Sequence, residues 1–521
     1  MKVSLLKEPL LEFGGDNLCD DPKMGISNGG FFSLSNNSHR SEIHFGVIGS
    51  NQLIELACKW IDNLDSYIIP DTKEIKSTSY KFVRIEHGEV QENELDLDAE
   101  FYKTEEIEET HEVQNQNANP AFPGFNMDSC FRSKFVNDST NNVSIKNADL
   151  QDILNNTDLT LLEKSFAVCD LYLEAYQGLL TRAIVKPGIC LIVLPDDVYD
   201  KLHSIPLGKG RFFNLRRYLK SRLIILPNAI PVQIMLEGTV AETRSGLQDM
   251  SMQAWNFVTA SYYKNLGAPW TLGLDDKDTC FIGISFHKVI NSENNLVRSS
   301  IAQAFNYEGK GIVFIGNKFE WDSEEMNTKS PHLSYSYARE LINAVLKEYK
   351  DFHRGLPPAR VVIHKTTNYW NSAIHKEYAE VEGFKDGIKE ALGDYVEIDL
   401  VTIKQANIRL LRSSGIYPVI RGTMLELDKS TGILYTTGYI PYYETYPGVH
   451  IPQPIEVNIY EGESTLRKVC SEILGLTKMN FNNCNYFDSL PITIRFAQKV
   501  GEIAQYIEDE ENSPNRYYFY M

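Results

Sequence analysis

The feature that most constrains the fold of this chain is an ordered run of strand and helix patterns in its second half. In chain order these patterns are the strands TCFIGISFHKV (279–289), SIAQAFNYEG (300–309) and GIVFIGNKFEW (311–321), a helix at about 335–350, the strand ARVVIHKT (359–366) and a helix at about 371–392. Short apolar runs bounded by turn residues indicate strands, and longer runs with an apolar stripe indicate helices. The sequence therefore predicts an α/β domain of order β-β-β-α-β-α from residue 276 onward.

The first half of the chain alternates strands and helices in a different way. The strand patterns are IHFGVIGS (43–50), GICLIVL (188–194) and IPVQIM (230–235), and helical runs separate or follow them, the last at 252–267. Strands that alternate with helices predict a parallel sheet with helices packed on it. We place the boundary between the two halves near 270–278, which gives domains of 1–275 and 276–521.

Composition excludes several classes of protein. The eight cysteines are scattered, which argues against CxxC metal or redox motifs and fits reduced thiols in a cytoplasmic protein. No apolar run approaches the ~18–20 residues of a membrane helix, and the N-terminus does not resemble a secretory signal. The net charge is −19, and residues 86–112 alone carry twelve acids and one lysine. We interpret 86–118 as a solvated acidic insertion.

A dense basic cluster stands out against this acidity. GKGRFFNLRRYLKSR (208–222) holds six cations and no acid. Arg216 and Lys220 are four residues apart and would share one face of a helix, where like charges repel unless an anion lies between them. A phosphate needs several such donors, and Gln233 and Lys264 are further candidates. The alternatives are a solvated basic face, an edge-strand glutamine and a lysine that complements the C-terminal dipole of its helix.

The pattern RRYLK, then IPVQIM, then YYKNLGAPW resembles the pocket for the 5′-phosphate of a guide strand in the MID domain of Argonaute proteins. The resemblance assigns Arg216, Lys220, Gln233 and Lys264 to that phosphate. Many Argonautes have tyrosine or histidine at the first of these positions. Arginine adds a bidentate phosphate donor there but does not stack as tyrosine does.

The second half resembles the RNase H-like PIWI domain of Argonautes, whose active members cut with two metal ions held by carboxylates. The first aspartate of that site follows a glycine, and here FIGISF places Ser285 there. The later acid corresponds to Lys365 in VVIHK, and shifting either alignment by one residue restores no acid. Asp488 comes near a fourth position. Serine is a poor ligand for a hard cation and lysine repels it, so we expect a domain that does not cleave.

The C-terminal block LTKMNFNNCNYFDSLPITIRFAQKVGEI (476–503) resembles the end of a PIWI domain. The resemblance makes Lys478 and Arg495 candidates for binding the guide backbone. In Argonautes the terminal carboxylate lies near the 5′-phosphate and shares a Mg²⁺ ion with the glutamine of the pocket. Here that carboxylate belongs to Met521, and the partner ligand would be Gln233.

The resemblance implies an α/β fold made of a Rossmann-like MID domain followed by an RNase H-like PIWI domain. EPLLEFG (8–14), DPKMGI (21–26) and FPGF (122–125) further resemble the opening of short prokaryotic Argonautes, which lack the N-terminal and PAZ domains. Such proteins bind a small 5′-phosphorylated guide, usually RNA, and find complementary DNA without cutting it.

The same resemblance implies a partner protein that carries an APAZ domain. The partner is expected to bear an NAD-consuming TIR or sirtuin-like effector, or alternatively a nuclease, and to assemble further with this chain on activation. Two other hypotheses remain: an active guide-directed nuclease that uses other carboxylates, and a structural α/β protein with no role in nucleic-acid binding.

Overall fold

The computed structural model describes residues 1–36, 38–70, 120–208, 211–244, 247–273, 278–289, 296–304, 311–322, 324–328, 330–410, 418–443, 446, 451–508 and 511–521. The predicted acidic insertion at 86–118 lies outside the described residues, as does Lys209 of the basic cluster. No helix among the described residues is long and apolar enough to cross a membrane.

The first half of the chain contains eleven strands and eight helices within the described residues. The strands are β1 (Lys2–Leu5), β2 (Leu11–Glu12), β3 (Leu18–Cys19), β4 (Glu42–Gly49), β5 (Lys134–Asn137), β6 (Val143–Ser144), β7 (Ile189–Leu194), β8 (Ser204–Gly208), β9 (Arg211–Asn214), β10 (Val232–Leu236) and β11 (Thr271–Leu272). The helices are α1 (Pro22–Gly29), α2 (Asn51–Asn63), α3 (Asn147–Asn155), α4 (Leu161–Arg182), α5 (Asp196–Leu202), α6 (Leu215–Ile224), α7 (Glu237–Val240) and α8 (Met250–Lys264).

The second half, in its described parts, adds eight strands and four helices. The strands are β12 (Thr279–Lys288), β13 (Leu296–Ala304), β14 (Ile312–Glu320), β15 (Arg360–Lys365), β16 (Glu397–Gln405), β17 (Thr423–Glu426), β18 (Thr431–Leu434) and β19 (Ile455–Glu461). The helices are α9 (Tyr335–Phe352), α10 (Glu380–Leu392), α11 (Leu466–Leu476) and α12 (Ile492–Ala504).

The first sheet is parallel, as the alternation of strands and helices predicts. Its order is β10-β7-β4-β5, and β6 also pairs with β4. Every residue of β7 is buried. Its side chains alternate between two apolar clusters, one on each face of the sheet, because successive residues of a strand point to opposite faces. Burial on both faces explains why β7 is an unbroken apolar run rather than an alternating one.

The second sheet has nine strands in the order β1-β17-β18-β19-β16-β15-β12-β13-β14. β12, β13 and β14 are antiparallel, whereas β15 and β16 run parallel to β12. The predicted order β-β-β-α-β-α and the α/β fold class are confirmed. Helices α9 and α10 pack together on one face of β12 and β15, and α12 covers the other face.

The N-terminal strand belongs to this second sheet. Lys2–Leu5 pairs with Thr423–Glu426 at the edge of the sheet, although the sequence grouped residues 1–275 together. β1 has only four residues and no clear apolar pattern, so the sequence does not predict which strand it pairs with. The division of the chain at about residue 275 otherwise stays a prediction.

Candidate functional site

A pocket of about 340 Å³ lies where the first half of the chain meets its C-terminal end. Helices α5 and α6 and strand β10 form one side, and helix α12 and the last two residues form the other. Its lining residues are Tyr199, Asn214, Arg216, Arg217, Lys220, Gln233, Ile234, Asn482, Lys499, Glu502, Ile503, Tyr520 and Met521. Three of the four predicted phosphate ligands, and the residue that carries the terminal carboxylate, therefore line one pocket.

Helix α6 places the two central cations of the pocket. Asn214 caps the helix, and its side chain accepts a hydrogen bond from the backbone N–H of Arg217 at 3.0 Å. Arg216 and Lys220 then lie one turn apart on the same face, as their spacing predicts. The guanidinium of Arg216 also donates to the carbonyl of Ile234 on β10 at 2.9 Å, which fixes the helix to the strand that carries Gln233.

Lys264, the fourth predicted ligand, lies behind the pocket at the end of α8. It is buried, and its ammonium group donates to the carbonyl of Val232 at 3.2 Å and to the side-chain oxygen of Gln233. Burial, and secondly the nearby charge of Arg216, lower the pKa of Lys264 to about 7. A buried lysine without a counterion is costly, so this position favours an approaching anion.

Lys220 lies among other basic groups, namely Arg216, Lys264 and Lys499. Burial lowers the pKa of Lys220 well below its ordinary value, and the charges of Lys264, Arg216 and Lys499 lower it further. Among the described residues, no carboxylate of an aspartate or glutamate forms an ion pair with Arg216 or Lys220. Arg216 and Lys220 thus bring two basic groups without a paired aspartate or glutamate, among the described residues, into one pocket, which is an arrangement that suits a phosphate group.

Two other arginines of the basic cluster form ion pairs with the C-terminal part of the chain. Arg222 forms a bidentate pair with Glu511, with N–O distances of 2.8 and 2.6 Å, and also donates to the carbonyl of Tyr506. Arg217 pairs with Glu502 of α12 at 2.9 Å. Arg216, Arg217 and Lys220 therefore line the pocket, while Arg217 and Arg222 also hold the C-terminal segment against α6.

Among the pocket residues that sequence reasoning did not identify are Tyr199, Asn482, Lys499 and Glu502. Lys499 and Glu502 are three residues apart on α12 and form an ion pair of their own at 3.2 Å. Their spacing resembles that of an ordinary surface pair on a helix. Only the tertiary structure brings α12 beside α6, so local spacing alone carries no signal for these side chains.

Known proteins resemble this chain in sequence. No family model matches the chain. A curated Argonaute of Aquifex aeolicus is 23% identical over 348 residues, which cover 66% of this chain and 43% of the relative. An Argonaute of Cereibacter sphaeroides is 22% identical over 310 residues, which cover 55% of this chain and 37% of the relative. The chain thus spans less than half the length of these curated relatives.

Solved structures agree with the sequence matches. Clostridium butyricum Argonaute, bound to a guide DNA and a 19-mer target DNA, superposes with a TM-score of 0.62 at 17% identity and covers 99% of this chain and 54% of its own. Drosophila Piwi gives 0.56 at 10% identity and covers 100% and 56%. Marinitoga piezophila Argonaute, in complex with a 5′-OH guide RNA, gives 0.54 at 12% identity and covers 100% and 59%. The chain is similar to Argonautes in sequence and shares their fold. Its two sheets are consistent with the MID and PIWI domains.

The strand register shows how the two predicted nuclease positions, Ser285 and Lys365, lie relative to each other. β12 and β15 pair in parallel with Ile284 beside Lys365, and paired residues share a face. Ser285 therefore points to the opposite face from Lys365. β15 ends at Lys365, and Thr366, the next residue, is the one that would share a face with Ser285 if the register continued. The side chains of Ser285, Lys365 and Thr366 all lack a carboxylate.

A glycine on β12 allows helix α12 to cover this face. A Cβ atom at Gly283 would lie 2.2 Å from the carbonyl oxygen of Thr493 on α12. The hydroxyl of Thr493 also forms a hydrogen bond with Nδ1 of the buried His364 at 2.9 Å. The glycine that precedes Ser285 in the Argonaute-like motif therefore has a packing reason in this chain, namely the close approach of helix and strand.

Lys365 itself lies in a closed, buried network. Its ammonium group pairs with Glu380 and donates to the carbonyl of Asn368 at 3.2 Å. The carboxylate of Glu380 also bonds the ring of His332 at 2.9 Å and accepts from two backbone N–H groups. Asp488, the proposed fourth acid, pairs with Arg495 at 2.6 Å. Within the described ranges, no cluster of three histidine, cysteine, aspartate or glutamate residues could hold a metal ion.

Lys478 is not an exposed ligand for a guide backbone, which corrects that prediction. Its side chain is fully buried, pairs with Glu8 at 2.7 Å, and lies 3.9 Å from the centre of the Tyr486 ring. Burial lowers the pKa of Lys478 to about 8 despite the opposing effect of Glu8. Arg495 remains partly exposed beside Asp488, and its role in guide binding stays a prediction.

Glu8 is expected to be a major source of stability, because its carboxylate faces both Lys478 and the buried Arg421. Removing one partner of such a pair leaves charge buried without a counterion. Glu8→Gln is therefore expected to lower the free energy of unfolding by about 3 kcal/mol. Urea unfolding measures this change, and the exposed Glu463→Gln serves as control with a change within about 0.5 kcal/mol. Equal stability of both variants would contradict the structural role.

The donor set of the pocket fits the expected magnesium ion. Mg²⁺ prefers oxygen ligands and is commonly held by one or two protein groups together with phosphate oxygens and water. Gln233 and Met521, whose main chain carries the terminal carboxylate, line the pocket together. The side-chain oxygen of Gln233 also accepts from Lys264 in this structure, so an ion there would share that oxygen with a lysine.

Proposed function

We propose that the pocket anchors the 5′-phosphate of a short guide strand, most simply an RNA. The observation that carries this proposal is the convergence of Arg216, Lys220 and Gln233 in one pocket, with no ion pair from either cation to an aspartate or glutamate among the described residues. Lys264 supports Gln233 from behind. Affinity for the rest of the guide would come from its backbone and would fall with salt, whereas base pairing would supply sequence specificity.

Gln233 and the terminal carboxylate of Met521 would hold a magnesium ion, whose chemistry there would be additional positive charge beside the phosphate. The protein side chains would do the remaining work: Arg216 would donate two N–H groups in a fixed plane, and Lys220 would provide a compact charge. Because both lie on one turn of α6, they would bind the first phosphate from the same side.

We further propose that the chain recognises complementary DNA without cutting it. The absence of a carboxylate at Ser285 and Thr366 supports this reading, because two-metal cleavage needs acidic ligands from neighbouring strands. The competing hypothesis is a guide-directed nuclease. It predicts Mg²⁺- or Mn²⁺-dependent cleavage of a labelled target DNA by the guide-loaded protein, and a complementary target left intact under these conditions would support the non-cleaving role.

The proposed biological role is that of a sensor subunit in prokaryotic defence. The resemblance of EPLLEFG and FPGF to short Argonautes supports a partner with an APAZ domain and an NAD-depleting TIR or sirtuin-like effector. A nuclease effector is the alternative. Pairing of guide and target would shift a conformational equilibrium of the complex toward an active effector.

The first experiment is purification of this protein with the product of its neighbouring gene, followed by sequencing of the bound nucleic acid. We expect short RNAs of narrow length with a 5′-phosphate. Uniform 5′-OH ends would instead favour a guide of the kind seen with the Marinitoga protein. Random fragments, or none, would contradict guide binding altogether. NAD consumption by the complex after addition of complementary DNA tests the effector.

A further inference from the structure

We propose that Glu502 of helix α12 acts as an internal anion of the 5′ pocket, and that an entering phosphate displaces it and recruits Lys499 as an additional ligand. This proposal rests on the proposed function, because it assumes that the pocket takes a terminal phosphate. It adds two residues from the second half of the chain to a site that the sequence assigns wholly to the first half and the C-terminus.

The geometry of one carboxylate oxygen carries the proposal. Oε2 of Glu502 lies 2.9 Å from a guanidinium nitrogen of Arg217 and 3.2 Å from the ammonium nitrogen of Lys499. Two cations from different halves of the chain therefore share one oxygen. All three residues line the same pocket as Arg216 and Lys220. Glu502 is the one aspartate or glutamate among the pocket residues that the structure describes, so its carboxylate is the side-chain anion that a phosphate would meet there.

The exchange of Glu502 for phosphate is energetically reasonable. The side chains of Lys499, Arg217 and Glu502 are 44%, 40% and 33% exposed, and partly exposed ion pairs contribute little to stability. A charge-assisted hydrogen bond to a phosphate oxygen is stronger and shorter. Lys499 also has a flexible side chain, and it already lies close enough to Lys220 to lower the pKa of that residue. A small rotation of its side chain would exchange one anion for the other.

Glu502 lines a second pocket as well as the 5′ pocket. Glu502 and Arg217 line both, and the second pocket, of about 270 Å³, extends to Ser285, Gln498 and Gln505. In the free protein the Arg217–Glu502 pair therefore borders both the proposed phosphate pocket and the pocket that contains Ser285. Displacement of Glu502 would leave Arg217 beside the second pocket without its anion.

The proposal predicts opposite effects of two substitutions on phosphate discrimination. Glu502→Gln removes the competing anion without changing shape, and it should tighten binding of a 5′-phosphorylated RNA about fivefold, while the same RNA with a 5′-OH changes less than about twofold. Lys499→Met should weaken binding of the phosphorylated RNA about tenfold, and Lys499→Arg should retain it. Fluorescence anisotropy with both RNAs, at fixed salt and with full-length protein, measures these changes.

A matched control removes a negative charge elsewhere. Glu508→Gln affects an exposed carboxylate that pairs with Lys318 outside the pocket, and it should change binding of both RNAs equally. If Glu502→Gln behaves like this control, the internal-anion proposal is wrong and Glu502 only adjusts the overall charge. If Glu502→Gln unfolds, Glu502→Ala replaces it, and this variant should also tighten phosphate binding because it too removes the competing anion.

Failure of the proposed function would look different. A wild-type protein that binds 5′-phosphate and 5′-OH RNA equally contradicts both proposals. A wild-type protein that prefers the phosphate, combined with Glu502 and Lys499 variants that keep the wild-type preference, overturns only the role of Glu502 and Lys499. A Lys499→Met variant that loses the preference for phosphorylated RNA, together with a Lys499→Arg variant that retains it, would support a direct contact. A merely structural role would not depend on a positive charge at this position.

Discussion

Replacing Arg216 and Lys220 together by alanine is expected to weaken binding of a 5′-phosphorylated guide RNA by about 1000-fold. Each side chain would lose charge-assisted hydrogen bonds worth about 2 kcal/mol, and every 1.4 kcal/mol corresponds to about tenfold in affinity. The loss should fall on the phosphate alone, so the doubly substituted protein should bind phosphorylated and unphosphorylated RNA equally. Equilibrium binding of both RNAs at one salt concentration measures the effect.

The control for this experiment must remove two positive charges far from the pocket. Lys385 and Lys389 lie on one face of α10, and both side chains are about half exposed or more. Their double alanine variant should lose affinity for both RNAs slightly and equally, because non-specific attraction depends only on overall charge. A similar loss of phosphate preference in both double variants would mean that the pocket is not the phosphate site.

The parts of this fold that sequence analysis predicted are those encoded by local patterns. β7 is recognisable because both of its faces are buried, which gives six consecutive apolar residues. The order from β12 to α10 is recognisable because each element has its own period and is bounded by turns. Arg216 and Lys220 were predicted together because one turn of helix fixes their relation. Information of this kind lies within a few residues along the chain.

The errors arose where a residue's environment depends on distant partners. We predicted Lys478 as a ligand for the guide backbone, but its side chain is buried and pairs with Glu8 near the other end of the chain. We predicted Ser285 and Lys365 as neighbouring nuclease positions, but the register pairs Lys365 with Ile284. The face of the sheet to which a residue points depends on this register, and a shift of one residue moves it to the opposite face. Lys499 and Glu502 were not identified from sequence, because a pair three residues apart is common on any helix. No local pattern encodes these relations.

Binding of the 5′-phosphate is expected to weaken as pH rises above 7. In the free protein, burial and secondly the charge of Arg216 lower the pKa of Lys264 to about 7, and the pKa of Lys220 is lowered as well. A bound phosphate dianion would favour the charged forms and raise both pKa values. Between pH 7 and the pKa in the complex, binding therefore takes up protons, and affinity should fall by up to about tenfold per pH unit for each lysine involved.

The direction of the pH dependence distinguishes ionisation of the lysines from ionisation of the phosphate. The second pKa of a phosphate monoester is about 6, so ionisation of the phosphate alone would strengthen binding up to about pH 7 and leave it constant above. A decline from pH 7 to 9 at constant ionic strength must come from the protein. RNA with a 5′-OH should show little decline, and Lys264→Met should flatten the curve for the phosphorylated RNA. Constant affinity of the wild-type protein over this range would mean that the two lysines stay charged without the phosphate.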